Sequence, residues 1–197
     1  MQFTLLNGDK KTAATAMLIE KGMDSGDILI QREMDVDPSD DYFDLEDKLG
    51  KIGAEAIRDA ILDYDEVYKN RTVQDDDKAT YCTKIDKEMG KIDWNKTSRE
   101  ILDQIRALVA FPVAYFDYKG QNAKIHKASI SDKKGRPGEI LAANKKDKII
   151  IATGDSSIRI ETIQFPGKKA MDTTSFLLGN DIEVGYILEN DWSWYYF

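Results

Sequence analysis

The sequence has little of the chemistry that metal sites and nucleophilic active sites need. It contains one cysteine, Cys82, one histidine, His126, and four prolines in 197 residues. A single cysteine excludes an internal disulfide and a cysteine-based metal cluster. With one histidine in the chain, no base to activate Cys82 is evident. We therefore predict no metal site and interpret Cys82 as a bystander.

Long apolar runs are also absent. No segment approaches the roughly 20 apolar residues that a membrane-spanning helix requires. Residues 1–9 lack the basic and apolar regions of a signal peptide. These absences predict a cytoplasmic protein with no membrane partner.

Charge is distributed unevenly along the chain. The net charge of −8 argues against a simple nucleic-acid-binding protein. Residues 1–83 carry 10 Lys and Arg against 20 Asp and Glu, whereas residues 84–197 carry 18 against 16. A shift of this kind predicts two modules with different partners.

The first predicted module, residues 1–68, has an α/β pattern. Strands are predicted over residues 1–6, 15–20 and 28–33, the last two forming a hairpin around a glycine-bearing loop. Apolar residues at helical spacing then predict an amphipathic helix over residues 42–64. Three strands and one helix cover a sheet poorly, which suggests that upstream elements are missing.

A polar stretch, residues 69–93, is predicted to be a solvated linker to a second module, residues 94–197. Thr97 or Ser98 can cap a helix that ends before Pro112. Turn signals then separate five predicted strands: residues 113–118, 123–130, 138–144, 149–153 and 157–164. Short antiparallel strands with one helix are typical of a small OB-like β-barrel. The aromatic segment 191–197 is predicted to pack as a strand or against another chain.

Several short motifs in a fixed order resemble the methionyl-tRNA formyltransferase family. They lie at residues 7–9, 22–27, 73–75, 80–85, 91–94 and 167–171. The first two are shared by other folate-dependent formyltransferases, including those that act on amino sugars. The resemblance implies the end of a Rossmann-like formyltransferase domain, followed by an OB-like domain that binds tRNA.

The resemblance implies transfer of a formyl group from 10-formyltetrahydrofolate to the amino group of initiator methionyl-tRNA. The catalytic groups of the family are an Asn, a His and an Asp, and only the Asp has a counterpart here, at Asp24. The Asn–His pair would lie before residue 1, so we interpret the chain as a truncated form. The residues implied to line the folate pocket are Lys21, Gly22, Met23, Asp24, Ser25 and Gly26.

The missing Asn and His matter because formyl transfer needs hydrogen-bond donors that Asp24 cannot supply. Attack on the formyl group creates an oxyanion that needs fixed hydrogen-bond donors. An ionised carboxylate such as Asp24 can orient a histidine and relay a proton, but it only accepts hydrogen bonds. We therefore predict negligible turnover by the isolated chain, and we assign no catalytic role to His126.

Lysines of the second module form a candidate RNA-binding face. The residues selected are Lys124, Lys127, Lys145, Lys146, Lys168 and Lys169. Lysines at turns and strand ends can contact phosphates without reading bases. They can equally serve only to keep the protein soluble, and the sequence leaves that alternative open.

Two other readings remain open. The chain could be a non-catalytic tRNA- or RNA-binding module, or a relative of the sugar N-formyltransferases with a different acceptor. Whatever the function, a truncated α/β half should expose apolar surface where its missing strands would pair. We therefore expect self-association, or a partner that supplies the N-terminal half.

Overall fold

A computed structural model describes residues 1–188, which form two compact units. The first unit contains residues 9–84 with Met1 and Phe3, and the second contains residues 85–188 with Gln2 and residues 4–8. The chain therefore passes from one unit to the other within the segment predicted to be a linker. The aromatic segment 191–197 lies outside the described residues.

The N-terminal segment forms a helix, and the strand predicted there is wrong. Helix α1 spans Gln2–Leu6, and its Leu5 side chain is fully buried. A helix of five residues is marginal by itself, so tertiary packing decides its conformation. Within the second unit, the Gln2 side chain donates a hydrogen bond to the Phe111 carbonyl oxygen.

A two-stranded antiparallel hairpin begins the first unit. Strand β1 spans Lys11–Met17 and strand β2 spans Ile28–Asp35. Strand β1 starts earlier than predicted, because Lys11 already pairs with Asp35. It also ends earlier, because the register shifts after Ala16 and the chain leaves the ladder after Met17. The predicted α/β layer thus contains two strands and not three.

Helix α2, Tyr42–Leu62, follows the hairpin and matches the predicted helix closely. Asp41 caps it through a capping box with Asp44. One buried cluster of this unit consists of Ala16, Ala56 and Ala60, with the partly buried Ile30 packed against it. A short helix α3, Tyr64–Lys69, comes next.

The second unit begins before the predicted boundary. Ile92 and Trp94 are buried in its core, and the Ile92 N–H donates to the Tyr115 carbonyl. Helix α4 spans Ser98–Ala107, and Thr97 caps it as predicted, with Glu100 completing the capping box.

An antiparallel sheet forms the rest of the second unit. Its main strands pair in the order β3-β4-β7-β6-β5, and β8 adds to β7. Their bounds are β3 Tyr115–Tyr118, β4 Gln121–Ser131, β5 Ile140–Asn144, β6 Lys148–Ala152, β7 Ser157–Gln164 and β8 Met171–Asp172. A short helix α5, Thr173–Phe176, follows. The five strands predicted from turn signals are all present.

The sheet is curled. Strand β4 changes register twice around Lys127, and bulges of this kind bend a strand. Beyond β4, Lys133 reaches the carboxylate of Asp147 in the β5–β6 turn at 3.3 Å. Isoleucines from β4, β6 and β7 pack with the side chain of Trp94 in the core of this unit.

The turn after β6 closes over the start of α4. The Gly154 N–H donates to the Lys96 carbonyl at 2.8 Å, and the Asp155 carboxylate accepts from the Ser98 N–H at 2.7 Å. A β-carbon on Gly154 would lie 2.1 Å from the Asn95 carbonyl oxygen, so only glycine fits. The start of the helix and the turn are therefore one hydrogen-bonded structure. Across residues 1–188, no helix is both long enough and apolar enough to cross a membrane.

Candidate functional site

The loop that carries Asp24 connects β1 to β2. Its residues 21–25 are exposed, whereas Gly26 is buried. Asp24 itself has a φ of 56°, in the left-handed region where Asp is one of the few tolerated side-chain-bearing residues. The loop thus presents the Asp24 carboxylate to solvent at a backbone position with a special conformation.

Close packing against β1 fixes the C-terminal end of this loop. A β-carbon at Gly26 would lie 1.9 Å from the Leu18 carbonyl oxygen. The Leu18 N–H donates to the Asp27 carbonyl at 3.0 Å. Glycine is therefore required at position 26 for the two arms of the loop to approach.

The side chain of Gln74 holds the loop from the other side. Its amide Nε2 donates to the Asp24 carbonyl at 2.9 Å and to the Gly26 carbonyl at 2.7 Å. Both hydrogens of one amide group are therefore used on the backbone that flanks the candidate catalytic residue.

The residues just before Gln74 fasten the same region. Arg71 forms an ion pair with Asp27 at 2.7 Å, and its guanidinium lies over the Tyr68 ring. Thr72 and Ile28 exchange two backbone hydrogen bonds of 2.9 and 2.8 Å. A single β-bridge at Thr72 and the side chains of Arg71 and Gln74 thus attach residues 71–74 to the first unit, although they fall in the predicted linker.

Backbone donors in the loop remain available to a ligand. In the described part of the chain, no hydrogen bond uses the backbone N–H of residues 21–26. An exposed loop with free backbone N–H groups can donate hydrogen bonds to a ligand.

The single histidine is occupied elsewhere. His126 lies on β4 in the second unit, where its Nε2 is 2.8 Å from the Gln164 side-chain oxygen. Gln164 in turn donates to the Lys168 carbonyl. Within residues 1–188, no three His, Cys, Asp or Glu side chains group closely enough to hold a metal ion.

The six lysines selected from the sequence are all exposed and lie on the second unit. Lys124 and Lys127 lie on β4, opposite Gln164 and Thr162 of β7. Lys145 and Lys146 occupy the β5–β6 turn, and Lys168 and Lys169 follow β7.

These lysines differ from their neighbours in pairing. Lys119, Lys133 and Lys148 each form an ion pair with a carboxylate of the second unit. Among residues 1–188, none of the six selected lysines does so, and Lys168 instead donates to the Asn180 side-chain oxygen. Their charges are thus free to meet an external anion.

Sequence reasoning missed Gln74 and Arg71 as parts of the site. The one sequence signal for this segment was the motif at residues 73–75, which resembles the family but does not indicate a contact with the Asp24 loop. Partners 44 and 50 positions away in sequence could not be assigned to them without the hairpin geometry.

The two units match two family models in sequence order. Residues 1–61 match the model described as formyl transferase, and residues 84–181 match that described as formyl transferase, C-terminal domain. A methionyl-tRNA formyltransferase of Halothermothrix orenii is 35% identical over 188 residues, covering 92% of this chain. One from Alkaliphilus oremlandii is 36% identical over 192 residues, covering 95% of this chain. The chain spans 60% and 61% of the length of these two relatives.

Solved structures show the same fold at lower identity. HypX from Aquifex aeolicus has a TM-score of 0.68 at 19% identity, over 92% of this chain and 33% of its own. An N-formyltransferase from Helicobacter canadensis has a TM-score of 0.60 at 21% identity, over 80% of this chain and 58% of its own. Because the two models together match most of the residues in order, and the relatives named above share more than a third of their aligned residues with it, the chain belongs to the formyl transferase family.

Proposed function

We propose that the chain serves in the formylation of initiator methionyl-tRNA, with 10-formyltetrahydrofolate as the formyl donor. The observation that carries this proposal is the identity of 35–36% to methionyl-tRNA formyltransferases across more than nine tenths of the chain. That similarity includes both the Asp24 loop and the lysine-bearing unit. Translation initiation is a cytoplasmic process, so the proposal includes a cytoplasmic location.

In this proposal the first unit supplies one wall of the folate site. Residues 21–26 offer backbone N–H groups, and the Asp24 carboxylate can accept a proton or orient a neighbouring donor. The bound donor supplies the formyl carbonyl. The groups that stabilise its developing negative charge are not provided by Asp24, because an ionised carboxylate only accepts hydrogen bonds.

An activity assay tests whether the chain by itself can catalyse formyl transfer. With 10-formyltetrahydrofolate and methionyl-tRNA, we expect the 197-residue chain to give no turnover above the blank. Turnover close to that of the Halothermothrix orenii relative would refute the claim that the chain lacks essential groups. Binding of tetrahydrofolate is followed separately, by chemical shifts of the amides of residues 21–26.

The second unit, an OB-like barrel in this proposal, binds the tRNA body through its six unpaired lysines. Filter binding of tRNA should weaken steeply as salt increases, because phosphate contacts release counterions. Charge reversal at Lys168 and Lys169 should weaken binding at least tenfold. The matched control reverses Lys10 and Lys69 of the first unit, and it should have little effect. Absence of tRNA binding at low salt would remove the proposal.

Amino sugars are the competing acceptor class. Two sugar N-formyltransferase structures resemble the chain, with TM-scores of 0.60 and 0.61. Competition decides between the classes: tRNA binding should resist a large excess of an amino sugar that carries no nucleotide. Displacement of tRNA by that sugar would favour the sugar acceptor.

Helix α2 of the first unit carries apolar side chains that no other described residue buries. Ile57, Ile61 and Leu62 of α2 are 52%, 71% and 73% exposed. We expect this face to bind a complementary formyltransferase half or a second copy of the chain. Sedimentation velocity should show self-association that disappears when Ile61 and Leu62 are replaced by Ser. A monomer at all concentrations that also fails to bind such a half would contradict this expectation.

A further inference from the structure

A pocket of about 250 Å³ opens in the second unit. Its walls come from the β3–β4 turn, the end of β7 with the following turn, and the segment after α5. It is smaller than the roughly 300–1,000 Å³ of pockets that hold drug-sized ligands. The space therefore suits one flat ring system with part of its substituent.

The base of the pocket is aromatic and already assembled. Phe165 and Phe176 stack with ring centroids 4.8 Å apart, and Tyr118 meets Phe165 edge to face. The Tyr118 hydroxyl accepts a hydrogen bond from the Glu183 N–H, which fixes the ring. The three side chains are only 3–8% exposed, so a ligand can contact their edges at the pocket wall and need not first order them.

The rim of the pocket carries hydrogen-bonding and cationic groups. Gln121, Asn180 and Asp181 line it together with Lys119 and Lys168. Lys119 is neutralised by Glu183 at 2.7 Å, whereas Lys168 donates to Asn180 and lies 5.9 Å from the centroid of the Phe176 ring. One ammonium thus remains at the mouth for an anion, beside an amide and a carboxylate that can meet a heterocycle edge.

These features match one nucleotide and not a stretch of duplex. Aromatic packing, an amide for the base edge and a lysine for the phosphate are the means by which proteins bind unstacked bases. Lys168 also belongs to the lysine-bearing face, so the pocket adjoins the surface that we assign to RNA. We propose that this pocket takes a single unpaired nucleotide of the bound tRNA, an inference that rests on the proposed function.

Two contributions to the affinity for RNA can be told apart by their dependence on salt concentration. Lysine contacts to phosphates change the salt dependence, by about one unit of slope for each contact. A base held in the pocket contributes affinity with little salt dependence. Gln121→Ala should therefore weaken tRNA binding by roughly threefold to tenfold with an unchanged salt slope. Lys168→Gln should reduce both the affinity and the slope.

The matched control is the adjacent residue of the same strand. Asn122 is exposed like Gln121, but its side chain points to the opposite face of β4. Asn122→Ala should bind tRNA like the parent chain. Both substitutions are at exposed positions, so folding should be preserved, and circular dichroism spectra confirm this.

Direct binding of nucleotides completes the test. Adenosine, guanosine, cytidine and uridine 5′-monophosphates at about 10 mM should shift amide resonances of residues 118–121 and 165–182 in the full chain. Normal tRNA binding by Gln121→Ala, together with no such shifts, would overturn the pocket while leaving the proposed function intact. Failure of the parent chain to bind tRNA at all would remove both.

Discussion

The side-chain amide of Gln74 lies 2.9 Å from the carbonyl oxygen of Asp24, although 50 positions separate the two residues. The same amide nitrogen also reaches Gly26 at 2.7 Å. A residue in a polar stretch after α3 thereby fixes the backbone of the loop between β1 and β2. Asp24, with its φ of 56°, is therefore held by a side chain that is distant in sequence.

Gln74→Ala should loosen the loop and cost about 1–2 kcal/mol in the free energy of unfolding, because two backbone carbonyls lose their partner. Trypsin should then cleave after Lys21 faster than in the parent chain. The control is Gln31→Ala, whose side chain bonds only to Thr15 on the strand surface. Equal cleavage rates in the two variants would show that Gln74 does not hold the loop.

A pair of glycine substitutions should act in opposite directions. Gly26→Ala should destabilise the first unit by at least about 2 kcal/mol, because its β-carbon would collide with the Leu18 carbonyl. Gly50→Ala lies in α2 with nothing within 4 Å of the new methyl group. It should stabilise the helix by about 0.5–1 kcal/mol. Urea unfolding measures both, and a neutral Gly26→Ala would contradict the observed close approach.

Acid should weaken the second unit partly through Asp172. Its hydrogen bond with the Lys148 ammonium lowers the pKa of this carboxyl to about 2. The unfolded value is near 3.9, so the folded state binds fewer protons. This contribution is complete above about pH 5 and is lost as the pH falls toward about 2. Asp172→Asn can still accept the Thr174 N–H at the start of α5.

The free energy of unfolding of Asp172→Asn should therefore fall less between about pH 5 and 2 than that of the parent chain. Urea unfolding at successive pH values provides the measurement. Identical pH profiles would show that the Lys148 contact does not perturb Asp172 in solution.

Unpaired and paired lysines should differ in RNA binding. Replacing Lys124 and Lys127 by Gln should reduce the slope of log affinity against log salt by about two units. Replacing Lys133 by Gln should change it much less, because Asp147 already neutralises that ammonium. Filter binding across a salt series gives the slopes. Equal effects per lysine would indicate that pairing does not select the residues that contact RNA.

Local signals predicted most of the second unit. The capping box of α4 and the glycine-bearing turns give strand and helix positions within a few residues, since these features act over three or four positions. The same reasoning failed for residues 2–6, where a short apolar run fits a strand as well as a helix. Packing of Leu5 settles that choice, and it is not encoded nearby.

Only part of the candidate site, the loop that carries Asp24, could be predicted from the sequence. Asp24 and its loop followed from a resemblance, whereas Gln74 and Arg71 required the fold to bring distant segments together. Likewise, the exposed Lys133 and Lys145 look alike in sequence, and only the structure shows that the first of them is neutralised.

The hydrogen bond from the Ser98 N–H to Asp155 ties helix α4 to the turn after β6. The first turn of a helix ordinarily frays, since its N–H groups lack intrahelical partners. Here the Asp155 carboxylate gives the Ser98 amide a partner from another part of the chain. Ser98 should thus exchange with solvent more slowly than the first amide of an uncapped helix, and its exchange rate reports on the contact between α4 and this turn.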